Sequence, residues 1–214
     1  MKLLFIGNSH TYVNSVPAIV RTLLEETGTR THVTMLAQGG KTLAFHAEKK
    51  DTLFNIRYGE YDVMIAQDRA SVFDKTLFFE GAAALKKQAD AVGTATLLYM
   101  PWALRDNRAL QGEMTDAYLG FARENSVPVA AAGETFGRLL QHYPAELLYH
   151  PDGNHATFAG SYVAALTIFY TLTGRKRTVA LDKIKDPGIE AGLDPELCRQ
   201  CHAEACFTAR LYNA

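Results

Sequence analysis

Short, unbroken apolar runs alternate with longer, half-polar stretches along the 214 residues. The first run, Leu3-Leu4-Phe5-Ile6, stops at a glycine and reads as a buried strand. Similar runs predict strands at 2–7, 32–36, 61–67, 94–99 and 127–131. The stretches between them predict helices near 16–27, 74–92, 113–125, 134–142 and 158–173. After Gly174 the composition turns polar, with Pro187 and Pro195, and a final helix from about Pro195 to Tyr212 is expected to pack back on the body. No internal repeat, low-complexity tract or linker divides the chain. It reads as one domain over 1–214 with a C-terminal extension at about 175–214.

Strand–helix alternation favours a parallel sheet covered by helices on both faces. Five strands suit an α/β, flavodoxin-like three-layer sandwich with a five-stranded parallel sheet of order 2-1-3-4-5, whose switch point lies between the first and third strands. Ligands of open α/β sheets collect beyond the carboxyl ends of the strands at such a point. Two polar residues are delivered there. One is Ser9, in Gly7-Asn8-Ser9-His10-Thr11; the other is Gln67, near the end of Tyr61-Asp62-Val63-Met64-Ile65-Ala66-Gln67-Asp68. A helix cap is the plain alternative for Ser9.

The other end of the chain favours chemistry. Tyr149-His150-Pro151-Asp152-Gly153-Asn154-His155 spaces a carboxylate and an imidazole three residues apart, just before a long apolar helix. A serine hydroxyl is a poor nucleophile unless an imidazole takes its proton, and the imidazole works best when an anion fixes its tautomer. Ser9, His155 and Asp152 supply those three roles, while Asp152-Gly153-Asn154 also suits a turn with a helix cap. His150 is a rival base, disfavoured because it precedes Pro151 and lacks a carboxylate at helical spacing.

Together these residues resemble the four blocks of the SGNH hydrolases, also called GDSL-type esterases and lipases. The serine block reads Gly7-Asn8-Ser9, similar to a subgroup with Gly-Asn-Ser in place of Gly-Asp-Ser. Gln38-Gly39-Gly40-Lys41-Thr42-Leu43 resembles the glycine block, with Gly40 a better match than Gly39. The third block carries Gln67 where the family usually has asparagine, as in the same subgroup, and the fourth is matched by Asp152 and His155. The likeness spans about residues 2–174 and is specific through the order and spacing of the blocks. It implies a serine esterase acting through an acyl-enzyme on Ser9, with an oxyanion hole of Ser9 N–H, Gly40 N–H and the Gln67 amide. Gln67 is one methylene longer than asparagine, so its alternative is a polar strand terminus bonding a neighbouring loop. The subgroup implies small or carbohydrate-linked carboxylic esters as substrates, with acetyl groups removed from sugars. A thioesterase or lysophospholipase of the same family is the alternative within it.

Three further residues are candidate substrate contacts. His10 is a pocket wall beside Ser9, and His46 follows the glycine block, where a satisfied core histidine is its alternative. Trp102 lies in the loop from Met100 to Arg108, where it stacks on a sugar, lines an acyl pocket or closes the core. Arg105 and Arg108 in that loop meet an acidic substrate or are solvated. Asn8 is expected to hydrogen-bond the loops framing Ser9.

Cys198-Arg199-Gln200-Cys201-His202 has the form of a c-type haem attachment site, and Cys206 adds a third thiol. Reduced, partly buried cysteines rank first, a zinc site second and haem third; no metal or organic cofactor is expected.

At 48% apolar and 21% charged residues, with a net charge of −1, the composition is that of an ordinary globular enzyme and argues against a nucleic-acid partner. The Arg175-Lys176-Arg177 cluster reads as a solvated loop. The opening apolar run stops at Gly7 without a cleavage site, and the stretch Ala159 to Leu172 is too short to span a bilayer. A cytoplasmic protein without a membrane partner is therefore expected. Dinucleotide, P-loop and Gly-x-Ser-x-Gly motifs are absent from the sequence. Outside the esterase class, two readings stand open: a non-catalytic sugar- or anion-binding module of the same fold, and a redox or metal-binding protein built on the C-terminal thiols.

Overall fold

A computed structural model describes residues 1–175 and 178–213, so Lys176 and Arg177 of the basic cluster lie outside the described residues. The first half of the chain runs β1 (Lys2–Gly7), α1 (Ser9–Tyr12), α2 (Val16–Glu26), β2 (His32–Ala37), α3 (Leu43–Glu48), α4 (Lys50–Tyr58), β3 (Val63–Ala66) and α5 (Lys75–Asp90). The second half runs β4 (Ala95–Met100), α6 (Leu110–Asn125), β5 (Val129–Ala131), α7 (Ala132–Leu139), α8 (Ala145–Leu148), α9 (Phe158–Thr173), α10 (Pro187–Glu190) and α11 (Pro195–Tyr212). The five strands are all parallel, in the order β2-β1-β3-β4-β5, as the alternation of elements predicts.

The pleat sorts consecutive residues of each strand to opposite faces, and in β1, β3, β4 and β5 both faces are largely buried, whereas the edge strand β2 is partly exposed. Leu3 and Phe5 of β1, Ile65 of β3 and Tyr99 of β4 pack with Val20 of α2, Phe136 of α7, Ile168 of α9 and Cys201 of α11. Leu4, Ile6, Met64 and Leu98 face the other way, onto Leu43 of α3, Ile56 of α4, Phe78 of α5 and Phe121 of α6. This double burial explains why the strands read as continuous apolar runs. The helix α9 is buried from Ala159 through Tyr170 and forms the centre of one layer. Among the described residues no helix is long and apolar enough to cross a membrane.

Differences from the sequence expectation have local causes. β5 starts at Val129 rather than 127 because Pro128 has no N–H to give the ladder, although its carbonyl still accepts from Leu98 N at 2.9 Å. The sequence pattern missed α4, which leaves Phe54 and Tyr58 63% and 62% exposed and so lacks the clean apolar stripe of a buried helix. It also missed α3, whose start is set by Thr42, its hydroxyl accepting from Phe45 N at 3.2 Å.

The C-terminal segment is anchored by a buried polar network. The Asp186 carboxylate accepts from Tyr162 Oη at 2.8 Å and from His202 Nε2 at 2.9 Å, and Tyr170 Oη lies 2.6 Å from the other ring nitrogen of His202. Burial raises the Asp186 carboxyl, but the hydrogen bonds from His202 and Tyr162 outweigh it and leave it below its ordinary value. Cys198, Cys201 and Cys206 are free, buried thiols on the inner face of α11. Burial pushes Cys198 up to about 11 and Cys201 to about 12. His202 is thus spent on the network beside the thiols, and among the described residues no group of three or more His, Cys, Asp or Glu is placed to hold a metal ion. At the end of α11 the Asn213 amide exchanges hydrogen bonds with the backbone of Val129, closing part of the free edge of β5.

Candidate active site

The apolar strand β1 ends at Gly7, where a Cβ would sit 2.5 Å from Thr11 Oγ1 and 2.6 Å from Gln67 Oε1. Only glycine lets the chain turn there so tightly. Asn8 is extended and caps α1, its Oδ1 accepting from His10 N at 3.1 Å, while its Nδ2 donates to Lys41 O at 2.9 Å. The asparagine thereby ties the serine turn to the loop after β2, as expected from its position. Ser9 opens the short helix and is 8% exposed. Among the described residues its N–H has no acceptor within the protein, and neither does the N–H of Gly40. Gly40 takes a left-handed φ of 70°, which a side chain would resist.

The segment carrying the acid and the imidazole is a tight loop between α8 and α9. Its ends are joined by an isolated bridge between Tyr149 and Ala156 and by His150 N donating to His155 O at 2.8 Å. Asp152 Oδ1 accepts from the N–H groups of Asn154 and His155, each at 2.9 Å. Its Oδ2 lies 2.6 Å from His155 Nδ1. A carboxylate only accepts, so Nδ1 carries the proton and Nε2 is the basic nitrogen of the neutral ring. Partial desolvation raises Asp152, but the hydrogen bonds from the His155 ring and from the two N–H groups outweigh it and hold the carboxyl well below its ordinary value. His150 Nδ1 also lies 3.4 Å from Asp152 Oδ2, with its side chain 58% exposed.

Both segments meet on one cavity of about 270 Å³ beyond the carboxyl ends of β1, β2 and β3. Ser9, Gly39, Gly40, Arg69 and His155 line it together. This is the switch point between β1 and β3 that the strand order predicts.

No protein-family model and no curated protein matches the sequence. Solved structures do. A DUF4886 family protein from Bacteroides uniformis superposes with a TM-score of 0.74 at 18% identity, over 100% of this chain and 96% of that one. TesA superposes at 0.64 and 15% identity, over 81% and 99% of the two chains. Axe2, an acetylxylan esterase from Geobacillus stearothermophilus, does so at 0.63 and 16% identity, over 78% and 93%. A protein of the G-D-S-L family from Desulfitobacterium hafniense is also similar, at 0.61. The fold is that of the SGNH hydrolases.

Within this SGNH fold, several residues singled out in the sequence lie elsewhere than expected. Gln67 does not reach the cavity. It has no solvent exposure; its Oε1 accepts from Asn8 N at 3.0 Å and from Thr11 Oγ1 at 2.8 Å, and its Nε2 donates to Asp68 O. Its Oε1 holds the serine turn and its Nε2 the start of the loop after β3, which is the placement of the loop-bonding alternative. Trp102 is 1% exposed and stacks on Phe136 at 4.4 Å, its Nε1 donating to Asn154 O at 3.0 Å. His46 is buried under the glycine loop, with Nε2 2.8 Å from Gly7 O. Neither Trp102 nor His46 lines the cavity, and both brace the loops around it. His10 does line it, at 4% exposure, with Nε2 donating to the same Asn154 carbonyl at 3.2 Å. Burial, then the nearby His155, pushes His10 down to about 4, which keeps it neutral.

Arg69, Tyr12 and Ser71, which line the cavity, and Asn14, which braces it, were not recognised in the sequence. Arg69 reaches the cavity from the loop after β3, two positions beyond Gln67, and Asn14 joins the two halves of the site. Asn14 sits at a left-handed φ of 54° and donates to Ala156 O at 3.1 Å and Ser161 Oγ at 3.0 Å. A non-glycine residue held there is strained and persists only where its side chain or surroundings require it. Its signal in sequence is slight, since an asparagine after a serine motif is an ordinary turn residue.

Proposed function

We propose that the protein is a serine esterase that removes small acyl groups, acetyl first among them, from carbohydrate or other water-soluble esters. The observation that carries this reading is the convergence of Ser9, the Asp152–His155 pair and two unspent backbone donors on one small cavity. His155 Nε2 takes the Ser9 proton as Oγ attacks the ester carbonyl, and Asp152 holds the ring and stabilises the imidazolium. The N–H groups of Ser9 and Gly40 receive the developing oxyanion. His155 then protonates the departing alcohol, and a water activated by the same nitrogen hydrolyses the acyl-enzyme, releasing the carboxylic acid and restoring Ser9.

A cavity of about 270 Å³ is below the usual range of drug-sized pockets and suits a short acyl chain, with the alcohol part lying in solvent. Axe2 and an esterase active on acetylated mannans share the fold, which supports a sugar as the alcohol. The test is labelling with a fluorophosphonate probe. Modification is expected at Ser9, absent in Ser9→Ala and reduced by about a hundredfold or more in His155→Ala. Labelling at the wild-type rate without His155 refutes the triad assignment, and no labelling of the wild-type protein favours a non-catalytic binding module. Acetylated xylo- and manno-oligosaccharides, p-nitrophenyl esters of increasing chain length and acyl thioesters then rank the substrates. Acetyl esters are expected to give the highest kcat/KM, and a preference for long chains or thioesters overturns the substrate class.

A further inference from the structure

With Gln67 buried, the oxyanion is left with two backbone donors, and the next cation along the same loop is Arg69. We propose that Arg69 is the third oxyanion donor, acting from the cavity wall in place of the buried glutamine. The inference rests on the esterase reading above.

Four observations support it. Arg69 lines the same cavity as Ser9, Gly40 and His155, and among the lining residues it alone carries a permanent charge. Its Nη1 is 3.5 Å from Gly40 O, which sets the guanidinium against the glycine that lines the same cavity. The protein satisfies the group only weakly. Nη2 donates to Val72 O at 3.2 Å, and Nε is buried with no hydrogen-bond partner among the described residues. Finally, the Asp68 carboxylate beside it in sequence makes no direct ion pair with the guanidinium among the described residues: its Oδ1 accepts from Leu43 N at 2.7 Å, and it acts on the Arg69 charge only across space.

A partly buried cation with unspent donors and no direct ion pair favours an anion in its cavity. The ester carbonyl is neutral, whereas the tetrahedral intermediate carries a full negative charge on that oxygen. The interaction therefore strengthens as the barrier is climbed, which raises kcat rather than lowering KM. The amide of Gln67 has no comparable charge to offer and is occupied in shaping the turn.

Steady-state kinetics on p-nitrophenyl acetate and on its anionic counterpart, p-nitrophenyl hemisuccinate, test the assignment. Arg69→Met is expected to lower kcat about a hundredfold on both esters with KM within about twofold, and Arg69→Lys, which keeps charge but not the fork, about tenfold. In Arg69→Ala, millimolar methylguanidinium is expected to restore part of kcat, a recovery that a purely structural defect does not show. Thermal melting checks that each variant is folded. Wild-type kcat in Arg69→Met overturns the proposal, as does a loss confined to the KM of the anionic ester, which makes Arg69 a reader of substrate charge. If the wild-type protein neither hydrolyses esters nor labels at Ser9, the esterase reading itself fails and Arg69 loses its role with it.

Discussion

His10 shows what burial does to an imidazole one residue from a nucleophile. It is neutral because its charged form is desolvated and lies beside His155, with ring centroids 5.9 Å apart. His155 differs in having a carboxylate 2.6 Å away and a side chain 30% exposed. Two neighbouring rings of the same kind thus sit in different environments, one buried in the cavity wall and one paired with a carboxylate. Stability carries the mark of this. The folded-state pKa of His10 is about 4 against an ordinary 6.5, so on acidification the unfolded chain binds a proton that the folded chain refuses. Its stability contribution is complete above pH 6.5, declines as the pH falls towards 4 and is constant below that, a loss on the order of 3 kcal/mol. Asp68 works in the opposite sense. Burial raises it to about 6, so between that pH and its ordinary 3.8 the folded chain holds a proton that the unfolded chain releases, and stability rises as pH falls. In His10→Gln, whose amide still donates to Asn154, the change in urea midpoint between pH 7 and pH 4.5 is expected to shift toward greater stability at the acid end. An unchanged difference refutes the buried neutral state.

At the scale of elements, the site is made by loops that hold one another. The Asn154 carbonyl accepts from both Trp102 and His10, so the β4–α6 loop and the serine helix fix the position of the imidazole loop from two sides. Trp102→Phe retains the stack on Phe136 but loses the donor. It is expected to lower kcat about tenfold with KM unchanged, because a small misplacement of a reacting group is costly. A tryptophan that stacked on a sugar predicts the reverse, a raised KM with kcat preserved, so the two parameters measured on one acetylated oligosaccharide separate the roles. The pairing was legible here because Asp152 and His155 are close in sequence, and the hydrogen bond between them needs only a local turn. The Trp102 contact was not legible, since an indole can be drawn into a loop's core or left at its surface without any change in the residues around it.

At the scale of the molecule, the C-terminal helix completes the core on one face of the sheet. Asp186 receives Tyr162, His202 and two backbone N–H groups in a buried setting, and its removal leaves these donors without an acceptor. Asp186→Ala is expected to cost about 3–5 kcal/mol in urea unfolding. Because Asp186 lines no part of the Ser9 cavity, kcat at 25 °C on p-nitrophenyl acetate is expected to stay at the wild-type value. The Cys-x-x-Cys-His spacing that suggested a metal or haem thus belongs to the packing of α11, where apolar spacing on a helix brings small thiols to the core.

The strand order, the layers and the pairing of Asp152 with His155 could be read from the residues alone, because burial on both faces demands continuous apolar runs and because turns and short-range pairs are written in adjacent residues. Which amide, indole or guanidinium reaches the cavity was decided only in three dimensions. Gln67 and Arg69 lie two positions apart on one loop, and their fates separate through partners such as Asn8, Thr11 and Gly40 that come from distant parts of the chain. Side-chain direction at a loop depends on those long-range contacts, and no local pattern encodes them.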